Sequence, residues 1–207
     1  MVAMQEAHPV VSAIGDATST VQVREIAELA AIHEAHVRVV SLRRSVLPTL
    51  AVYAERIARE QPFMFRSVVA FEEDGGLDAL DDLAKHLPPD DARDVLVQDI
   101  AFWIEVVTCL SGHARCGVRL ACLDERMCPR FHVDQVPFRL LCTYAGSGTE
   151  WLDERDVDRS MPVGFAVRRG ARVQRAGRMD VTLLKDAVHR SPDCTRPRLL
   201  LTLEPVG

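Results

Sequence analysis

Two residues apart, His132 and Asp134 place an imidazole and a carboxylate within one short segment, Cys128-Pro129-Arg130-Phe131-His132-Val133-Asp134. On an extended strand, residues i and i+2 point to the same face. Both side chains can then aim at one point while Val133 turns to the core. Further along, His189 lies in Ala187-Val188-His189-Arg190-Ser191-Pro192. A strand folding back beside the first would supply His189 as a third donor. Two imidazoles and one carboxylate on one face hold a divalent metal and leave coordination positions open. That is the donor set of non-haem Fe(II) sites, and a co-substrate and oxygen would take the open positions.

A lone His-x-Asp arises often by chance, so the rest of the pattern matters. The 57 residues from His132 to His189 leave room for several strands. Nine residues after His189, Arg198 heads the run Arg198-Leu199-Leu200-Leu201-Thr202-Leu203. Arg198, Leu200 and Thr202 share one face of that strand, and the three odd-numbered leucines share the other. An arginine fork on an inner face suits a dicarboxylate, which it can grip bidentately. The plainer alternative pairs Arg198 with an acid such as Glu204. Cys128 offers another: a thiolate joining the two histidines and Asp134 would favour zinc. A small buried role for Cys128 competes with that. His33 with His36, and His113 with Cys116, are too few donors to make sites.

The elements that must position these residues fall into two parts. Residues 1–20 show no periodicity and read as a loose N-terminus. Residues 21–112 read as a mainly helical bracing region. Within it, helices are expected over Val21–Ala35, Val46–Glu60, Leu77–Leu87 and Asp91–Leu110, with strands over His36–Arg44 and Phe65–Glu72 and a turn at Asp74-Gly75-Gly76. The Asp91–Leu110 helix is the clearest, because Ala92, Val95, Leu96, Ile100, Trp103, Val106, Val107 and Leu110 recur at helical spacing. Asp90 or Asp91 caps its start and Gly112 ends it. Residues 113–207 change character. Short β-like runs appear at Gly117–Leu123, Phe131–Val133, Phe138–Tyr144, Val163–Val167, Arg172–Arg175, Val181–Lys185 and Arg198–Leu203, separated by Gly, Pro and Asp. The fold expected is α+β: a double-stranded β-helix, jelly-roll or cupin-like, forming one compact unit with the helices that brace it.

Phe131 to Trp151 (FHVDQVPFRLLCTYAGSGTEW) resembles the first half of a prolyl-hydroxylase-type 2-oxoglutarate dioxygenase core. In that resemblance Arg139, Tyr144 and Gly148-Thr149-Glu150-Trp151 match an arginine, a tyrosine and a turn that follow the His-x-Asp. His189 matches the second metal histidine and Arg198 the basic residue for 2-oxoglutarate. The resemblance implies Fe(II) and 2-oxoglutarate as cofactors, with Arg198, Tyr144 and Arg139 around the co-substrate. Arg139 and Tyr144 have opposite parity, so sharing a face requires a bulge. A resemblance covering more of the chain is to the bacterial family catalogued as domain of unknown function 1826. It rests on Cys-Pro-Arg-Phe-His-Val-Asp, Arg-Leu-Leu-Cys-Thr-Tyr, Gly-Thr-Glu-Trp-Leu, and His-Arg-Ser-Pro followed by Arg-Leu-Leu-Leu-Thr-Leu. The chain departs from that pattern at Met179–Lys185, where a Gly-Asp turn is expected, and in the short stretch from Lys185 to His189.

Composition bounds these readings. The 207 residues are 48% apolar and 27% charged, the balance of a soluble globular protein. The net charge of −5 argues against general nucleic-acid binding. No apolar run reaches the length that spans a bilayer. The first twenty residues lack a basic segment followed by an apolar run, so a cytoplasmic location is expected, with the six cysteines reduced. Acids dominate from Glu72 to Asp99 and arginines from Arg168 to Arg198, which reads first as solvated faces. Three functions follow: an Fe(II)/2-oxoglutarate dioxygenase acting on an unknown small molecule or protein, a cupin-like zinc or other metal-binding protein in metal homeostasis, and an interaction module built on a degenerate barrel.

Overall fold

Leucine-rich and β-branched runs from both halves of the sequence meet in one sheet. A computed structural model describes residues 18–60, 63–70 and 78–207. In chain order its elements are β1 (Thr20–Val23), a 3-10 helix (Ile26–His33), β2 (Val39–Leu42), α1 (Pro48–Glu60), β3 (Phe63–Ala70), α2 (Asp78–His86), α3 (Asp91–Ser111), β4 (Arg115–Leu123), β5 (Arg139–Ala145), β6 (Glu150–Leu152), a 3-10 turn (Glu154–Asp156), β7 (Val157–Asp158), β8 (Ala166–Val167), β9 (Val173–Arg175), β10 (Val181–Leu184), β11 (His189–Arg190) and β12 (Arg198–Val206). The main sheet has seven strands in the order β1-β2-β10-β5-β12-β4-β3, a second has three in the order β11-β6-β9, and β7 pairs with β8. Pairing is antiparallel throughout except for β1 with β2. No helix among the described residues is long and apolar enough to cross a membrane.

The alternation of β5 and β12 divides the molecule into layers. Leu140, Cys142 and Tyr144 of β5 join Leu199, Leu201 and Leu203 of β12 in one buried cluster with Leu50, Tyr53 and Ile57 of α1 and Leu96, Ile100, Trp103 and Val107 of α3. Each leucine buried there contributes roughly 1.5–3 kcal/mol. The opposite face carries Ala121, Leu141, Leu184 and Leu200, which meet Trp151 of β6 together with Ala176 and Ala187. The three-stranded sheet therefore lies over the face of the main sheet that the helices leave free. Helix α3 starts where Asp90 accepts the Ala92 N–H at 2.9 Å and ends at Gly112, whose φ of 68° is open to glycine at little cost.

Several expectations change. The helix expected over Val21–Ala35 is a strand followed by a 3-10 helix, because Glu28 accepts the N–H groups of Arg24 and Glu25 at 2.9 and 2.8 Å and starts the helical turns only there. The strands expected over His36–Arg44 and Phe65–Glu72 form as β2 and β3, which pair with β10 and β4 in the main sheet, while β1 is an added strand paired with β2. Phe131–Val133 shrinks to a single bridge at His132. The strands β6, β7 and β11 go beyond the runs expected, being too short to show periodicity. The Asp74-Gly75-Gly76 turn and most of the N-terminal segment 1–20 lie outside the described residues.

Candidate metal centre

His132 and His189 sit directly opposite one another on adjacent chain segments. Each donates its backbone N–H to the other's carbonyl at 2.9 Å. This is a closely spaced antiparallel pair, so both side chains emerge on one face. The rings lie 4.3 Å apart, tilted by 47°. Asp134 joins them: Oδ1 is 3.7 Å from His132 Nε2 and Oδ2 is 3.2 Å from His189 Nε2. One donor atom from each of the three residues falls within 4.8 Å of the others. The structure thus brings these three side chains together.

The far side of each ring is also arranged. His132 Nδ1 lies 3.0 Å from the Arg130 carbonyl, and His189 Nδ1 lies 3.0 Å from the Ala187 carbonyl. A carbonyl only accepts, so each Nδ1 donates there, which leaves Nε2 as the atom turned toward Asp134. Burial acts to raise the carboxyl of Asp134, but His189 and Arg139 outweigh it and hold the group below its ordinary value. Asp134 is therefore an anion near neutral pH. Arg139 Nη1 reaches its Oδ2 at 2.6 Å, and the same guanidinium pairs with Glu204 through Nε at 3.2 Å.

A cavity of about 100 Å³ opens over the donors, lined by Cys128, Asp134, Arg139, Thr149, His189 and Leu200 among others. Thr149 leads from this wall to Arg198, whose Nη2 donates to its hydroxyl at 3.3 Å. Arg198 is 1% exposed, its Nε has no hydrogen-bond partner, and it makes no ion pair among the described residues. Glu204, the acid that the plainer alternative pairs with it, is held by Arg139 instead. Burial lowers the Arg198 guanidinium from its ordinary value.

Tyr144 is not brought to this site. Its hydroxyl donates to Asp99 Oδ2 at 2.6 Å, on the helix side of the main sheet. A bulge in β5 falls where Leu199 pairs with Ala145 and Leu200 with Thr143, but it does not bring Tyr144 to the face of Arg139. Regular alternation from Arg139 puts Tyr144 on the helix side, and the bulge adds Ala145 to the same cluster. Beside Tyr144 lies a half-buried ionic group: Arg44 grips Asp99 through both terminal nitrogens, with Nη2 to Oδ2 at 2.8 Å, and stacks 5.1 Å over Trp103. Cys128 lines the cavity, but its sulfur is outside the group of donors. His36 is exposed beside Glu34, His33 lies edge-on to Phe138, and Cys116 is a buried core thiol pushed up to about 12 by burial. In the arginine-rich C-terminal stretch Arg175 and Arg190 pair with Glu150, and Arg178 pairs with Glu55 at the surface.

Sequence reasoning missed Glu150. It is 5% exposed and accepts from Arg190 Nε at 2.7 Å and from Arg175. It thereby ties β9 and β11 to β6 and holds the strand that carries His189. The signal was its place in Gly148-Thr149-Glu150-Trp151, whose first residue has no room for a side chain: a Cβ on Gly148 would stand 2.1 Å from the Ala176 carbonyl oxygen.

Residues 24–204 match the family described as "Protein of unknown function (DUF1826)". The chain belongs to this family. No curated protein matches the chain. Among solved structures, a full-length Neurospora crassa protein in complex with alpha-KG and thymine is 11% identical, with a TM-score of 0.48 over 90% of this chain and 84% of that one. The non-heme alpha ketoglutarate dependent epimerase SnoN from nogalamycin biosynthesis is 14% identical, with a TM-score of 0.44 over 86% and 81%. A Pseudomonas putida prolyl-4-hydroxylase is 13% identical, with a TM-score of 0.43 over 86% of this chain and all (100%) of that chain.

Proposed function

We propose that this family member is a non-haem Fe(II)- and 2-oxoglutarate-dependent dioxygenase that hydroxylates a small molecule or a protein side chain. The observation that carries the reading is the donor group: two imidazoles and one carboxylate, each with a ligand atom within 4.8 Å of the others, at a cavity wall. Such a facial set suits Fe(II) and leaves positions open. In this reading His132, Asp134 and His189 hold the iron, and the main and three-stranded sheets are the two walls of a double-stranded β-helix. When bound, the iron and 2-oxoglutarate supply the activation of oxygen.

The chain's own residues do the rest. The Arg130 and Ala187 carbonyls set the tautomers. Arg139 keeps the Asp134 carboxylate ionised and oriented. Arg198 takes the far carboxylate of 2-oxoglutarate, with Thr149 beside it. The fit lies in the chemistry of Arg198: a buried guanidinium with an unpartnered Nε and no carboxylate is costly unless an anion completes it. Tyr144 has no part in this set.

Metal content after anaerobic purification, paired with 2-oxoglutarate titration, tests the reading. It expects one iron per chain in the wild type, none in His132→Ala, and 2-oxoglutarate binding that falls in Arg198→Gln. Tightly held zinc that is lost in Cys128→Ser, with no 2-oxoglutarate binding, would replace it with a metal-homeostasis role. Absence of metal from the wild type would end both.

A further inference from the structure

Beside the metal donors, the same face of the main sheet carries an unusual row of charge. Register places Arg66 of β3 directly opposite Arg119 of β4, and Arg119 opposite Thr202 of β12. The next row runs Val68, Gly117 and Glu204, with Arg139 of β5 closing it. These residues line a groove of about 260 Å³. It adjoins the cavity over the metal donors, since Arg119 and Arg139 line both.

Like charges directly opposite on neighbouring strands destabilise a sheet, so the Arg66–Arg119 pair is a cost to folding. Glu204 offsets it only in part, since its charge acts on Arg119 without an ion pair. The single carboxylate there, Glu204, is taken by Arg139, which also holds Asp134. Arg119 is half-buried and gives one hydrogen bond, from Nη2 to the Thr202 hydroxyl at 3.1 Å. Neither Arg119 nor Arg66 makes an ion pair among the described residues. Burial, with Arg139 and Arg66 next in weight, lowers the Arg119 guanidinium from its ordinary value. The floor is kept open by Gly117: a Cβ there would lie 3.2 Å from Glu204 Cγ and 3.3 Å from Val206 Cγ2. Glycine inside a strand often marks such a close approach.

We propose that this groove is the substrate site and that the substrate is a small molecule bearing an oxyanion group, a carboxylate or a phosphate, gripped by Arg119 and Arg66. The volume admits a compact acid, and the wall shared with the metal cavity places its uncharged end toward His132 and Asp134. A planar fork on Arg119 suits bidentate capture of two oxygens, and the exposed Arg66 adds charge at the rim. This assignment rests on the dioxygenase reading for the chemistry done there, but the anion site stands on its own geometry.

The test is calorimetric titration of the full chain with two probes, inorganic phosphate and succinate, each repeated in Arg198→Gln so that binding at the 2-oxoglutarate pocket is removed. Iron content is measured in every sample. The expected result is binding that survives Arg198→Gln and weakens about tenfold or more in Arg119→Gln, with an intermediate loss in Arg119→Lys. Arg66→Gln, an exposed change that leaves folding intact, is expected to weaken it about threefold. Preference for one probe tells phosphate from carboxylate. Iron content stays at the wild-type level in Arg119→Gln and Arg66→Gln. If neither probe binds in the Arg198→Gln background, or if binding ignores Arg119→Gln and Arg66→Gln, the assignment is overturned while the metal centre stands. If the anion site behaves as expected and the chain holds no iron, the groove stands and the dioxygenase reading falls.

Discussion

Replacing Arg198 by methionine should separate function from stability, and in opposite directions. The guanidinium is 1% exposed, gives one 3.3 Å hydrogen bond to Thr149, and leaves Nε unpartnered. Removing that hydrogen bond costs about 1 kcal/mol. Removing the buried, unsatisfied donor and its unpaired charge returns roughly 1–3 kcal/mol. Methionine retains most of the apolar stem. The net expectation is a protein between unchanged and about 2 kcal/mol more stable, and at roughly 2–4 °C per kcal/mol its Tm holds or rises. Co-substrate binding should move the other way. Losing a bidentate, charge-assisted contact to the far carboxylate costs about 3 kcal/mol, roughly a hundredfold in Kd. Urea denaturation of the metal-free protein gives the first quantity, and anaerobic 2-oxoglutarate titration of the iron-loaded protein gives the second. A variant that loses more than about 2 kcal/mol of stability yet binds 2-oxoglutarate normally would refute the reasoning, because Arg198 would then be a structural residue.

Three further outcomes follow from named contacts. Tyr144→Phe removes the 2.6 Å donation to Asp99, and should cost about 1–2 kcal/mol of stability while leaving 2-oxoglutarate affinity unchanged; burial pushes this phenol well above its ordinary value, so it is a donor at every working pH. Glu150→Gln should cost about 2 kcal/mol near neutral pH, read by denaturation at several pH values. Burial acts to raise the Glu150 carboxyl, but Arg175 and Arg190 prevail and lower it from 4.5; the stabilisation is full above 4.5 and disappears as acid protonates the folded-state group, so the gap between wild type and variant closes in acid. Gly148→Ala should destabilise by about 3 kcal/mol or more in thermal melts and lower iron content, since its Cβ meets the Ala176 carbonyl oxygen at 2.1 Å and must displace the turn before Glu150.

Much of the site was legible in the sequence because it depends on local periodicity. The two-residue spacing of His132 and Asp134 puts them on one face of any extended segment. The alternation of β12 assigns Leu199, Leu201 and Leu203 to the helix side, where they lie. The apolar stripe of α3, its Asp90 cap and its Gly112 stop follow from helical spacing and cap chemistry. The pairing partners were not legible, because hydrogen bonds between distant segments leave no mark on either one. Only the fold sets His189 opposite His132. It also decides that Glu204 goes to Arg139, so that Arg198 stays unpaired. Regular alternation along β5 puts Tyr144 on the face opposite Arg139, and only the fold supplies Asp99 as its partner there. The strand β1 became visible only once β2 offered an edge to cover. Local chemistry thus determined which residues could serve as donors, and long-range pairing decided which of them meet.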